Sequence, residues 1–130
     1  MKQNVAPVDS EVPDDSEYID GYAIGWLYGH GWISKRSEKK SYCWFIPKCK
    51  KESYKLIKTF LENVTSKTHN GGEVPYAYEF GSASAKLNNY LFDKYGTIEL
   101  KNGISYFLES RFTSAFRRGF VSGLLISVEK

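Results

Sequence analysis

Long apolar runs are missing from this chain. Its most hydrophobic stretch, Tyr18–Ile33 (YIDGYAIGWLYGHGWI), carries about a dozen apolar residues, short of the roughly 20 that span a bilayer. No membrane partner is expected. Residues 1–20 have neither a basic start nor an apolar run, so they do not read as a signal peptide, and a cytoplasmic location is the expectation. Cysteine is scarce. Cys43 and Cys49 form no C-x-x-C pair and have no histidine at a metal-ligand spacing. They fall in one strand-like segment, so reduced thiols are expected rather than a disulfide. Histidine is limited to His30 and His69, and His69 reads as a solvated residue beside a turn. The chain lacks a phosphate-cradling glycine loop followed by Lys-Ser/Thr, a His-Glu-x-x-His and a nucleophile elbow.

What is present is aromatic and unevenly charged. The 130 residues suit one domain, and ten Tyr, eight Phe and three Trp supply an ample core. Residues 1–20 hold six acids (Asp9, Glu11, Asp14, Asp15, Glu17, Asp20) against Lys2, a net of −5, which leaves the remainder at +8 within a total of +3. Nine of the 18 basic residues fall between Lys35 and Lys58, opposed there by Glu38 and Glu52. Such clustering is the footprint of a polyanion partner or, read more plainly, a solvated lysine-rich face. Residues 1–16, with Pro7, Pro13 and few large apolar side chains, read as a flexible acidic arm.

Two segments carry small residues four apart in an apolar setting: Gly25 and Gly29, with Ala23 nearby, and Gly119 and Gly123. On a helix such residues share a face and admit a second backbone at close range. The pair resembles the two motif helices of the LAGLIDADG (dodecapeptide) homing endonucleases, particularly those carried in inteins. Gly25–Gly31, GWLYGHG, is similar to the first motif, and Phe116–Leu125, FRRGFVSGLL, to the second. Five positions beyond Gly25 and Gly123 stand His30 and Val128, 98 residues apart, close to the motif spacing in that family.

The resemblance implies an α+β fold, a single lobe of order αββαββα over residues 17–130, with a second motif helix at the C-terminus. It implies double-stranded DNA as partner, read by the strand pairs, and an acid closing each motif to hold Mg²⁺ at the scissile phosphates. Mg²⁺ prefers hard oxygen ligands. Here the two closing positions hold His30 and Val128, so the active site is degenerate. His30 and Glu129, the latter one place beyond the motif position, are the candidate catalytic residues, and the metal ligands stay undefined. His30 also reads as an exposed turn residue. Lys35, Arg36, Lys39, Lys40, Lys48 and Lys50 are the candidate DNA-binding residues. Gly25, Gly29, Gly119 and Gly123 are the candidate helix-pair interface. A second lobe encoded elsewhere, or a homodimer formed through a glycine strip left bare, would complete the protein. Splicing by the chain itself is not expected, because Met1 is no nucleophile and Val-Glu-Lys lacks the His-Asn ending of inteins.

Periodicity places the elements. Helices are expected from about Glu17 to Gly29, Glu52 to Val64, Ser82 to Tyr95 and Ala115 to Glu129, with Ser16 and Ser82 as caps and Gly-His-Gly closing the first. Hairpins are expected around Arg36–Lys40 and around Asn70-Gly71. In the strand SYCWFIPKCK, Tyr42, Trp44, Ile46, Lys48 and Lys50 alternate with Cys43, Phe45, Pro47 and Cys49, and the lysine-bearing face is expected to meet solvent or DNA. With Tyr76 and Tyr78, Tyr42 and Trp44 read either as groove-reading aromatics or as packing beneath the helices. Three functions stand: a DNA-binding lobe, degenerate or split from its other half; a protein-interaction domain on the same fold; and a metal-dependent endonuclease active as a dimer.

Overall fold

A computed structural model describes residues 16–36, 39–65, 72–82, 85–96 and 104–129. The fold is α+β. Helix α1 (Ser16–His30) leads into strands β1 (Gly31–Arg36) and β2 (Lys39–Pro47), then helix α2 (Lys51–Thr65). Strands β3 (Gly72–Val74) and β4 (Ala77–Ser82) follow, then helix α3 (Ala85–Tyr95), a 3-10 turn (Ile104–Leu108) and helix α4 (Ser114–Val128). The expected order of helix, strand pair, helix, strand pair, helix and helix is observed. All four strands form one antiparallel sheet in the order β1-β2-β4-β3.

Helix α1 is the centre of the fold, and its sequence says why. It is apolar on most of its circumference, as a helix covered on several sides must be. The sheet closes one side, where the Trp44 indole N–H donates to the Ala23 carbonyl at 2.9 Å and the Trp26 indole N–H to the Phe45 carbonyl at 2.9 Å. Helix α2 closes another, joined by Tyr22 Oη and Ser53 Oγ at 2.7 Å. Its buried stripe, Leu56, Ile57, Phe60 and Leu61, follows the expected helical spacing. Helix α4 closes a third side.

The α1–α4 contact is built from glycine on both helices. A Cβ added at Gly21 or Gly25 would come closer than 3.0 Å to the Phe116 or Phe120 carbonyl oxygen, and one at Gly119 or Gly123 to that of Tyr18 or Tyr22. The contact is reciprocal. Gly21 and Gly119 are 98 residues apart, as are Gly25 and Gly123, and both helices run in the same direction. Gly29 continues the strip, against Ser127. Thr113 opens α4, its hydroxyl accepting from the Phe116 N–H at 3.1 Å. Phe116 and Phe120 then carry the apolar load: Tyr95 lies on Phe116 with ring centroids 4.5 Å apart, and Phe107 on Phe120 at 5.0 Å.

Several expectations are corrected. The glycine strip is not bare for a second copy, because α4 of the same chain fills it. Gly21 rather than Ala23 is its third member on α1. Gly29 lies within the helix and Gly31 opens β1; the described glycine with positive φ is Gly96 (80°), ending α3. Ser16 is the first helical residue and Ser82 the last of β4, so neither is placed as a cap. The reversal between β3 and β4 is Pro75-Tyr76, where proline presets the φ of a turn; Asn70-Gly71 lies outside the described residues. The arm expected over residues 1–16 lies outside them up to residue 15.

The face expected to meet solvent or DNA turns inward, and of the two readings of Tyr42 and Trp44 the packing one holds. Tyr42, Trp44 and Ile46 point into the core, beneath the helices. The outer face carries Ser41, Cys43, Phe45 and Glu79, all half-buried. No helix among the described residues is long and apolar enough to cross a membrane.

Candidate functional site

The parallel pairing of α1 and α4 brings their C-terminal ends to one edge of the molecule. His30 ends α1 and is exposed; Val128 ends α4, followed by the exposed Glu129. Beside them a cleft of about 320 Å³ runs between Tyr22, Lys50, Glu52, Ser53, Ile126 and Glu129. Lys50 crosses it. Its Nζ donates to the Ile126 carbonyl and, at 2.7 Å, to the Glu129 carbonyl, and lies 5.8 Å from the Trp26 ring. The Ile126 carbonyl also accepts from the Glu129 N–H at 3.2 Å, and the cation beside it opposes the negative end of the helix dipole.

The residues at this edge do not fit a divalent metal. They offer one imidazole, the carboxylates of Glu52 and Glu129 and an aliphatic side chain, with Lys50 lying across the cleft, whereas Mg²⁺ requires several hard oxygen ligands. Among the described residues no three His, Cys, Asp or Glu side chains gather into a ligand set. His30 and Glu129 therefore share an edge of the molecule, but not one equipped to hold a catalytic Mg²⁺.

The basic residues contiguous in sequence divide in space. Lys35, Arg36, Lys39 and Lys40 lie at the far end of the β1–β2 hairpin, where the register sets Lys35 opposite Lys40 and Arg36 opposite Lys39. Lys48, Lys50, Lys51, Lys55 and Lys58 lie beyond the other end of β2 or on α2. The eight steps from Lys39 to Pro47 are roughly 26 Å of strand, so the two groups are separate surfaces. In the second group, Lys48 Nζ lies 5.6 Å from the Tyr78 ring and Lys58 pairs with Glu62 at 2.5 Å. Lys50 caps α4. The hairpin is the better candidate for a polyanion contact, and Lys50 is withdrawn from the candidate DNA-binding set. Tyr42 and Trp44 are core residues, Tyr78 is half-buried against the tilted ring of Tyr54 with centroids 4.5 Å apart, and Tyr76 is 75% exposed at the β3–β4 turn.

Sequence reasoning missed Asp20, which it treats only as an acid near the helix start. Asp20 is 3% exposed and joins α1 to α3. The hydroxyls of Tyr90 and Tyr95 each donate to its Oδ2 at 2.5 Å, and Lys94 Nζ stands 3.7 Å away. Glu17 borders the group, pairing with Lys94 at 2.9 Å. Burial pushes the Asp20 carboxyl above its ordinary range despite the hydroxyls and Lys94. The Tyr90 hydroxyl is pushed up to about 12, and Tyr95 is raised further, by burial and the adjacent carboxylate. The tyrosines therefore remain donors at neutral pH. No protein-family model, curated protein or solved structure matches the chain.

Proposed function

We propose that this chain is a DNA-binding lobe of the LAGLIDADG type, without cleavage activity of its own, that works beside a second lobe. The observation that carries the reading is the reciprocal glycine interlock of α1 and α4. Two helices related by a 98-residue offset, each seating its glycines on the other's carbonyls, form a pseudo-twofold pair. Around α1 this pair is clothed by a sheet and helices; among the described residues no sheet covers α4, which meets Tyr95 and Phe107 on one side only. Ala23 and Leu27 of α1 are buried, whereas their counterparts at the same offset, Val121 and Leu125, are exposed, Leu125 by 60%. An apolar stripe of that kind, with Val128 below it, suits a second lobe clothing α4 as the present one clothes α1.

The hairpin supplies the DNA-facing part of the reading. The backbone register gathers Lys35, Arg36, Lys39 and Lys40 at one end of the β1–β2 hairpin. Four cations at the end of a two-stranded ribbon suit phosphate contacts, and such a ribbon fits a major groove. The α4 stripe equally favours a second reading, a protein-docking domain without nucleic acid.

Anisotropy with a labelled duplex, titrated from about 50 to 200 mM salt, separates the two readings. Weak affinity is expected, with log K falling against log salt at a slope of about −3 to −4 if all four hairpin cations meet phosphate. Lys39→Ala with Lys40→Ala should shallow the slope by about 2. Lys50→Ala should leave the slope unchanged and lower stability by about 1 kcal/mol, through the exposed end of α4. No binding at low salt, or binding indifferent to salt, would refute the DNA reading and leave the docking domain.

A further inference from the structure

We infer that the second lobe is a second copy of this chain, its α4 laid antiparallel along the exposed face of this α4. The inference rests on the reading above only in taking that face as an interface. The exposed residues of α4 are Ser114, Arg118, Val121, Leu125 and Val128, on the side away from Gly119 and Gly123. Their spacing of 4, 3, 4 and 3 is that of a coiled-coil seam, the width of one partner helix. The two halves of the seam differ in shape. The first is concave, with a cleft of about 580 Å³ lined by Tyr18, Leu108, Ser114, Arg118, Val121 and Ser122. The second projects, Leu125 being 60% and Val128 56% exposed. A twofold lets the projecting half of each copy enter the concave half of the other, as a self-complementary interface requires.

The charges fit the same arrangement. Arg118 and Glu129 are exposed, and neither has an ion-pair partner among the described residues. They are 11 residues apart, about three helical turns, and so stand on one flank of the seam. A twofold between antiparallel helices keeps that flank on one side. Passing midway between the two residues, it brings Arg118 of each copy level with Glu129 of the other. At a rise of about 1.5 Å per residue, Leu125 then meets its own copy near the axis. Val121 falls between Leu125 and Val128 of the second copy, as a knob enters a hole. Val121 and Leu125 become buried, as their counterparts Ala23 and Leu27 are on α1. A parallel pairing would set Arg118 against Arg118, so charge selects the antiparallel register.

The test is sedimentation equilibrium of the full chain over a wide concentration range, in about 50 mM salt so that the ion pairs are little screened. The parent is expected to move from 14.9 kDa toward twice that mass, with a midpoint on the order of 10 µM for so small an interface. Arg118→Glu sets carboxylate against carboxylate and should weaken association about tenfold or more, as should Glu129→Arg, which sets cation against cation. Both positions are exposed, so neither change disturbs the core. Mixing the two variants should restore association, because each supplies the charge the other lacks. Carrying both changes in one chain should restore it as well. A dimer that either single change leaves intact would overturn the inference, and so would variants that fail to associate when mixed. A parent that stays monomeric throughout would overturn it too. If that monomer still binds duplex with the salt slope given above, the second copy is lost and the DNA reading stands.

Discussion

Gly25→Ala is expected to destabilise the chain by about 2–3 kcal/mol, and Gly123→Ala by as much. The direction is opposite to that of the same change on an exposed helix, where alanine gains about 1 kcal/mol over glycine. Overlap wins because the obstructing atoms are backbone: the added methyl at Gly25 meets the Phe120 carbonyl, and at Gly123 the Tyr22 carbonyl. Neither can rotate aside, so the helices must separate. Phe116 and Phe120 would then leave the rings of Tyr95 and Phe107. The two changes share one interface, so the double substitution should cost less than the sum of the singles. Gly81→Ala is the control, since its added methyl meets nothing nearer than the Tyr42 carbonyl at 3.9 Å. Urea unfolding followed by the fluorescence of buried Trp26 and Trp44 measures all four. A Gly25→Ala variant as stable as the parent would show that the interlock is wrong.

Asp20→Ala is expected to cost about 2–4 kcal/mol, since it leaves the Tyr90 and Tyr95 hydroxyls without their acceptor. Asp20→Asn should cost less, because an amide oxygen still accepts. The pH dependence distinguishes a buried carboxylate from a merely structural contact. The folded chain holds the Asp20 proton more tightly than the unfolded chain, because burial outweighs the hydroxyls and Lys94, with the repulsion of Glu17 adding to it. Its contribution is then fully present below the unfolded pKa of about 3.9 and is lost as pH rises through the raised folded value. The Asn variant lacks that loss, so its stability relative to the parent should improve across this window. Parallel pH profiles for parent and Asp20→Asn would contradict the burial and its electrostatic consequence.

Much of the scaffold was legible because it rests on local spacing. Small residues four apart marked both partners of the helix pair, and counting back 98 from Gly119 reaches Gly21, so the full reciprocal strip is written in the chain. The α2 stripe and the order of elements were equally open to periodicity. The sheet faces were not. Lys48 and Lys50 lent the strand a polar face, but β2 ends at Pro47, and strand alternation says nothing about residues past its end. Tyr42, Trp44 and Ile46 follow burial instead. Lys50 became a helix cap, and Asp20 a buried acceptor, through partners distant in sequence, Ile126 and Tyr90 among them. Such roles depend on packing and leave no local signature. The basic run misled for the same reason: contiguity along an extended strand is distance in space.

The parallel pairing of α1 with α4 underlies the proposed function, and a cross-link tests it most directly. In a chain carrying Cys43→Ser and Cys49→Ser, the pair Gly29→Cys and Ser127→Cys places two thiols at facing positions. A Cβ at Gly29 would lie 3.0 Å from that of Ser127, slightly inside the roughly 3.8 Å of an ordinary disulfide. The account predicts that air oxidation closes this bridge within single chains and raises the unfolding midpoint, since a loop near 100 residues is worth up to about 4.7 kcal/mol. Thiols that stay free, or that join only separate chains, would contradict it.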